Sequence, residues 1–212
     1  MIIMELNKLV NRIENLKDSS ISKIINNRIK EFKDLNKESN EDLFKEMCFC
    51  ILTANFSAER SIKIQDELGD CFLTNSEEEI AIKLKQMGHR FPNARARYIS
   101  ESMNCRNELS KVIKYNDDNK LRDWIVNNVK GLGYKESSHF LRNIGFDDFA
   151  IIDFHIIDLL TDYKIINKPK SLTKQKYIEI ENILRSIANK TNLSLAELDL
   201  YLWYIETCKI LK

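Results

Sequence analysis

The sequence predicts an all-α protein, and two observations carry that expectation. Apolar residues recur at three-to-four spacing along nearly the whole chain, and no stretch alternates apolar and polar residues as a half-buried strand does. Glycine is scarce, with five in 212 residues, and each falls where a helical pattern stops or in one short turn. No internal repeat or low-complexity linker interrupts the pattern.

In chain order, Glu5 to Lys17 reads as a short amphipathic helix. A second helix begins at Ser20 and reaches about Leu35, with Ile21, Ile24, Ile25, Ile29 and Phe32 along one stripe. Ser39 caps the next, with Asp42 as capping-box partner. Its Leu43, Phe44, Met47, Phe49 and Ile51 mark it as the core helix. Ser57 to Leu68 and Ser76 to Met87 follow, closed by Gly69 and Gly88. Pro92 fits the first turn of a helix running to about Cys105. Leu121 to Val129 is helical by the spacing of Leu121, Trp124, Ile125 and Val129, and Lys135 to Ile144 ends at Gly145 in the left-handed position glycine takes without strain. Asp153 starts a helix of its own, and Thr173 to Ala188 and Leu195 to Leu211 complete the chain.

Composition is that of an ordinary globular protein, 43% hydrophobic and 31% charged. No apolar run approaches the roughly 18 residues of a membrane span, and the N-terminus lacks a signal-peptide pattern. The expectation is therefore an intracellular, cytoplasmic protein with no membrane partner. Five cysteines, Cys48, Cys50, Cys71, Cys105 and Cys208, read as reduced core thiols. Only Cys208 lies near the C-terminus, so a four-cysteine iron–sulfur loop there is excluded; no metal and no cofactor are expected. A net charge of +1 is weak for a nucleic-acid binder, but Lys83 to Ile99 holds Lys83, Lys85, Arg90, Arg95 and Arg97 without a single acid.

Two of the scarce glycines, Gly131 and Gly133, flank Leu132 between two predicted helices. A Gly-x-Gly turn there lets backbone amides point outward at the start of the second helix, where free N–H groups and the positive dipole end favour a phosphate. A plain αα-corner would read the same way, and both readings stand at this point. Eighteen residues beyond Lys135, Asp153 is the one carboxylate in the run from Ala150 to Ile157.

Gly131-Leu132-Gly133-Tyr134-Lys135 followed by Ile152-Asp153-Phe154-His155 resembles the helix-hairpin-helix signature of the endonuclease III superfamily of DNA glycosylases. The resemblance implies the HhH-GPD fold, with Lys135 as the catalytic amine of a bifunctional glycosylase and lyase and Asp153 as its partner. Leu52-Thr53-Ala54-Asn55 is similar to a helix-end motif of that superfamily, which makes Asn55 the residue filling the gap left by an extruded nucleotide; a C-cap role is compatible with it. Arg95-Ala96-Arg97-Tyr98 is similar to a segment of 8-oxoguanine glycosylases that touches the opposite base, which implies that role for Arg95 and, with it, Arg60. The short chain, the KESSHFLRNIG helix and the terminal ELDLYLWYIETCKILK resemble archaeal-type 8-oxoguanine DNA glycosylase/AP lyases.

The resemblance implies a single glycosylase unit over residues 1–212. One helical lobe spans about 30–125, and about 1–30 with 126–212 forms a second that carries the hairpin, with a DNA-binding cleft between them. The expected protein acts as a monomer on duplex DNA containing 8-oxoguanine or abasic sites, needs no cofactor, and is associated with the nucleoid. A neutral lysine attacks C1′ of the flipped nucleotide, and the resulting Schiff base undergoes β-elimination. His139, Trp203 and Lys212 are candidates for the base pocket, the last through an α-carboxylate that accepts from the lesion's N7–H. Each has a plain alternative: a satisfied structural histidine, a core aromatic and a solvated end. Asp153 is expected both to cap its helix and to act in catalysis. Two other functions stay open, the same enzyme class on another oxidised base and a non-catalytic helix-hairpin-helix DNA-binding protein.

Overall fold

The computed structural model describes residues 2–114 and 117–212, and every regular element among them is helical. In order these are α1 (Ile2–Lys17), α2 (Ile21–Leu35), α3 (Asn40–Thr53), α4 (Ala58–Leu68), α5 (Cys71–Thr74), α6 (Glu77–Gln86) and α7 (Pro92–Ser102). A 3₁₀ segment, Met103–Glu108, leads into α8 (Leu109–Val112). Then come α9 (Asp118–Asn128), α10 (Tyr134–Asn143), α11 (Phe154–Asp162), α12 (Lys174–Thr191) and α13 (Leu195–Thr207). The helix starts follow local chemistry. Ser57, Ser76, Asp117, Asp153, Thr173 and Ser194 each accept a backbone N–H from the first turn of the helix they precede.

Several boundaries differ from expectation, each for a physical reason. At Ser39 the hydroxyl accepts the Asp42 N–H as predicted, but the Asp42 carboxylate meets that hydroxyl at 2.6 Å. Full capping boxes form instead at Ser76–Glu79 and Ser194–Glu197, where glutamate's extra methylene reaches the cap's backbone N–H. Helix α9 starts earlier than Leu121 because Asp117 caps it, and α1 starts at Ile2. The end of α4 is as expected: Gly69 is its C-cap, in a right-handed conformation at φ −52°, and α5 follows from Cys71. Helix α13 ends at Thr207 rather than Leu211, since Cys208 turns left-handed at φ 56° and breaks the ladder. Cysteines also divide: Cys48 and Cys50 are buried, Cys71 and Cys105 half-buried, and Cys208 exposed, so the last is a surface thiol and not a core one.

The chain forms two compact units, residues 34–144 and residues 1–33 with 145–212. The middle unit is built around α3, whose Leu43, Phe44, Met47, Cys48, Phe49, Cys50, Ile51 and Leu52 are all fully buried. From Met47 to Leu52 this helix is apolar on every side and must be surrounded, and α4, α5, α7, α8 and α10 all pack on α3. Each of the Leu, Ile, Phe and Met side chains contributes roughly 1.5–3 kcal/mol on burial. The hairpin therefore groups with the middle of the chain, whereas the lobes expected from the resemblance set residues 126–144 with the two ends. Packing of α10 on α3 and α9, and the Asn36 amide on the Ile144 carbonyl at 2.7 Å, account for the difference.

The other unit packs α1, α11, α12 and α13 around Leu9, Ile13, Leu159, Tyr177, Leu184 and Leu202. Lys17 donates to the Thr191 carbonyl at the end of α12, at 2.6 Å. Arg12 donates to the Tyr163 hydroxyl at 3.2 Å. Among the described residues no helix is long and apolar enough to cross a membrane.

Candidate active site

The Gly-x-Gly turn joins α9 to α10 as the sequence predicts. Gly131 has φ +88°, a left-handed conformation that glycine adopts without cost. Leu132 is buried and its N–H reaches the Val129 carbonyl at 3.3 Å, while Gly133 is exposed and stands as N-cap of α10. The two helices are fastened by Arg122, fully buried on α9. It donates to the Ser138 hydroxyl at 3.2 Å and lies 5.1 Å from the centre of the Tyr134 ring. The Tyr134 hydroxyl in turn donates to Asp123. A hairpin braced this way presents the first turn of α10, with its unsatisfied N–H groups, as a fixed surface.

Lys135 occupies that first turn. Its side chain is 24% exposed, and its amine nitrogen lies 3.8 Å from a Glu136 carboxylate oxygen, beyond hydrogen-bond reach. His139, one turn further, is buried with its ring edge-on to Phe49 of α3, centroids 5.5 Å apart. That packing is the structural alternative to a pocket role.

Asp153 sits half-buried at the start of α11, and its Oδ1 accepts the Ile156 N–H at 3.0 Å. One carboxylate oxygen thus caps the helix, and Oδ2 takes no part in the cap. The next two residues begin an aromatic group. Phe154 lies 3.9 Å from His155 between ring centres, and His155 meets the edge of Trp203 at 4.9 Å. Trp203 is thereby placed beside the Asp153 turn, half-buried. Lys212 lies beyond the end of α13, also half-buried.

A third cluster gathers around Asn55. Helix α3 ends at Thr53 with Ala54 as its C-cap, and Asn55 follows at φ 57° with an exposed side chain. The carbonyls left over at the end of α3 are taken by two buried side chains of the α6–α7 region, Arg95 and His89. Arg95 donates to the Ala54 carbonyl, and its guanidinium lies 5.7 Å from both the Phe91 and the Tyr98 ring centres. Burial pulls the Arg95 pKa below its ordinary value. His89 Nε2 lies 3.1 Å from the Leu52 carbonyl, and its Nδ1 accepts the Phe91 N–H at 3.1 Å. Those two bonds assign the proton to Nε2 and make the ring neutral, and burial lowers its pKa in the same sense. Arg60 is exposed, lies 4.9 Å from the Phe56 ring centre, and donates to the Gly88 carbonyl at 2.7 Å.

Arg95 and Arg60 were expected as donors to an opposite base. Arg95 is instead 7% exposed and bonded to the backbone that carries Asn55, so it frames the turn. Arg60 is occupied in part by the Gly88 turn. The acid-free run is accordingly only partly a surface: Arg90 and Arg97 are exposed, and Arg95 is not. Sequence reasoning missed Arg122, Tyr177 and Glu181. Each acts on groups more than ten residues away in the chain, and only their polarity at helix-core positions could have drawn attention.

The family model for 8-oxoguanine DNA glycosylase matches residues 25–193. The 8-oxoguanine DNA glycosylase/AP lyase of Methanocaldococcus jannaschii is 53% identical over 205 residues, covering 96% of this chain and 99% of that protein. The crystal structure of a Methanocaldococcus jannaschii 8-oxoguanine glycosylase/lyase in complex with a 15mer DNA containing 8-oxoguanine matches with a TM-score of 0.94 at 52% identity, over 97% of this chain and 100% of that one. That of the Thermotoga maritima 8-oxoguanine DNA glycosylase matches with a TM-score of 0.93 at 40% identity, over 98% and 100%. With most of its length matched by the family model and more than half its residues shared with such a relative, this chain belongs to the 8-oxoguanine DNA glycosylase family.

Proposed function

We infer that this protein is a bifunctional DNA glycosylase and AP lyase that removes 8-oxoguanine from duplex DNA and then nicks the strand. The observation that carries the reading is its near full-length match, at 52% identity, to a glycosylase/lyase seen bound to 8-oxoguanine DNA. Lys135 and Asp153 are the residues proposed to perform the reaction.

Base removal needs the nucleotide turned out of the duplex, at roughly a few kcal/mol and least for a damaged pair. The Gly131–Gly133 turn holds backbone amides and a helix N-terminus toward a phosphate, and Asn55, held out on its left-handed turn, fills the gap left in the stack. Lys135, as the neutral amine, attacks C1′. The glycosidic electron pair leaves with the base, which takes up a proton, and positive charge develops on the sugar. The Asp153 carboxylate stabilises that charge from its fixed place at the head of α11. Ring opening gives a Schiff base on Lys135, and loss of a 2′ proton expels the 3′ phosphate.

The lesion differs from guanine at N7, a donor in one and an acceptor in the other. A buried acceptor aimed there separates them by roughly 1–3 kcal/mol. Trp203, beside the Asp153 turn, and Lys212 are proposed to line that pocket. The inward packing of His139 on Phe49 favours a structural part for it. The protein is proposed to act as a monomer, on abasic as well as 8-oxoguanine duplexes, inside the cell.

A panel of duplexes tests the substrate. Those carrying 8-oxoguanine should release base and nick, and those carrying an oxidised pyrimidine should stay intact. Equal cleavage of the pyrimidine lesion would assign the enzyme a different base.

A further inference from the structure

The run Phe149–Ile152 enters Asp153 outside any helix, and no strand lies beside it among the described residues. Ala150 and Ile152 are nonetheless buried, at 3% and 0% exposure, so their backbone groups need partners within the protein. Helix α12 supplies them with side chains. The Tyr177 hydroxyl accepts the Ile152 N–H at 3.3 Å and donates to the Ala150 carbonyl at 2.6 Å. One turn along the same face, a Glu181 carboxylate oxygen accepts the Ala150 N–H at 3.2 Å.

Two polar side chains thus stand in for a neighbouring strand. Both are almost fully buried, and a phenylalanine at 177 would fill the same space. What the hydroxyl adds is a pair of bonds to the residues immediately before Asp153. On the other side, Asp153 is fixed by its bond to the Ile156 N–H at 3.0 Å. The carboxylate is therefore held between a helix cap and a side-chain clamp.

We propose that Tyr177, backed by Glu181, is a positioning residue for the Asp153 carboxylate, a role that rests on the catalytic reading of Asp153. The clamp sets where the charge stands relative to the reacting sugar, while the duplex is bound by other parts of the protein. A displacement of about 1 Å at a reacting group can cost on the order of a hundredfold in rate. A tyrosine that served the core alone would change stability and leave the chemistry of the folded enzyme as it was.

The test is single-turnover excision of 8-oxoguanine at saturating enzyme. It compares the wild type, Tyr177→Phe, Asp153→Asn and the double variant at a temperature where circular dichroism shows all four folded. Duplex affinity is measured alongside. Tyr177→Phe should lower the rate constant by roughly ten- to a hundredfold at unchanged affinity. In the Asp153→Asn background the same substitution should change nothing beyond about twofold, because the charge being positioned is already gone. A wild-type rate for Tyr177→Phe, or an equal loss in both backgrounds, overturns the proposal and leaves the catalytic reading of Asp153 intact. A wild-type rate for Asp153→Asn overturns both together. If Tyr177→Phe fails to fold, Glu181→Leu probes the same clamp. It should slow excision, and Glu181→Gln, which keeps an acceptor oxygen, should restore it; equal rates for the two overturn the proposal.

Discussion

Gly131 of the hairpin lies directly against the Tyr98 ring of α7. A Cβ at residue 131 would meet Tyr98 Cδ2 at 2.5 Å, and the backbone there has φ +88°. The turn proposed to hold a phosphate is thus seated on the segment that, through Arg95, also frames the Asn55 turn. Space and backbone geometry both demand glycine at this position.

The two hairpin glycines should therefore respond differently to alanine. Gly131→Ala meets both the ring and a left-handed backbone worth roughly 1–2 kcal/mol. It should lower the melting temperature and weaken duplex binding at least severalfold. Gly133→Ala has φ −88° and meets only the tip of Glu136 at 3.4 Å, so it should fold nearly as the wild type. Equal melting temperatures for the two variants would contradict a turn that needs glycine only at residue 131.

Arg95 and Asn55 should also separate by what they lose. Arg95→Ala strips the Ala54 carbonyl of a buried partner and should cost about 1–3 kcal/mol of stability. Asn55→Ala removes an exposed side chain, so it should melt close to the wild type yet bind the lesion duplex more weakly. Thermal melts and duplex titrations of the pair check this, and a stable Arg95→Ala with altered opposite-base preference would restore Arg95 to the DNA surface.

His89 gives the middle unit a pH dependence of known sign. Its folded-state pKa is depressed, first by burial, below the ordinary 6.5, so between the two values the unfolded chain binds more protons than the folded one. The stability tied to a neutral His89 is fully present above about pH 6.5 and is lost as pH falls toward the folded value. Protonation also removes the acceptor that holds the Phe91 N–H. Melts between neutral and mildly acidic pH should show a steeper decline for the wild type than for His89→Gln, and identical slopes would exclude His89 as the source.

What was legible in the sequence was local. Ser57, Ser76 and Thr173 announce their helices within a turn of their own positions, and the Gly131–Gly133 pair marks the hairpin by scarcity alone. Lys135 and Asp153 could be singled out as candidates because each lies within a short motif. Contacts across distant parts of the chain were not. Nothing near Arg95 indicates that its guanidinium will reach the Ala54 carbonyl, and nothing near Tyr177 indicates Ile152. The end of α13 escaped for another reason: cysteine is rarely the residue that turns left-handed, and Cys208 does so here.

Asp153→Asn keeps the size of the side chain and an oxygen to cap α11, and removes the charge. Excision should fall by orders of magnitude while the melting temperature changes little. A loss of stability large enough to account for the lost activity would return Asp153 to a purely structural place.

The proposed mechanism rests on a covalent imine between Lys135 and the sugar. Borohydride reduction during reaction with an 8-oxoguanine duplex should trap the wild-type protein on DNA as a stable adduct. Lys135→Gln should bind the same duplex and give neither adduct nor base release. A trapped complex or wild-type strand cleavage from Lys135→Gln would contradict the mechanism.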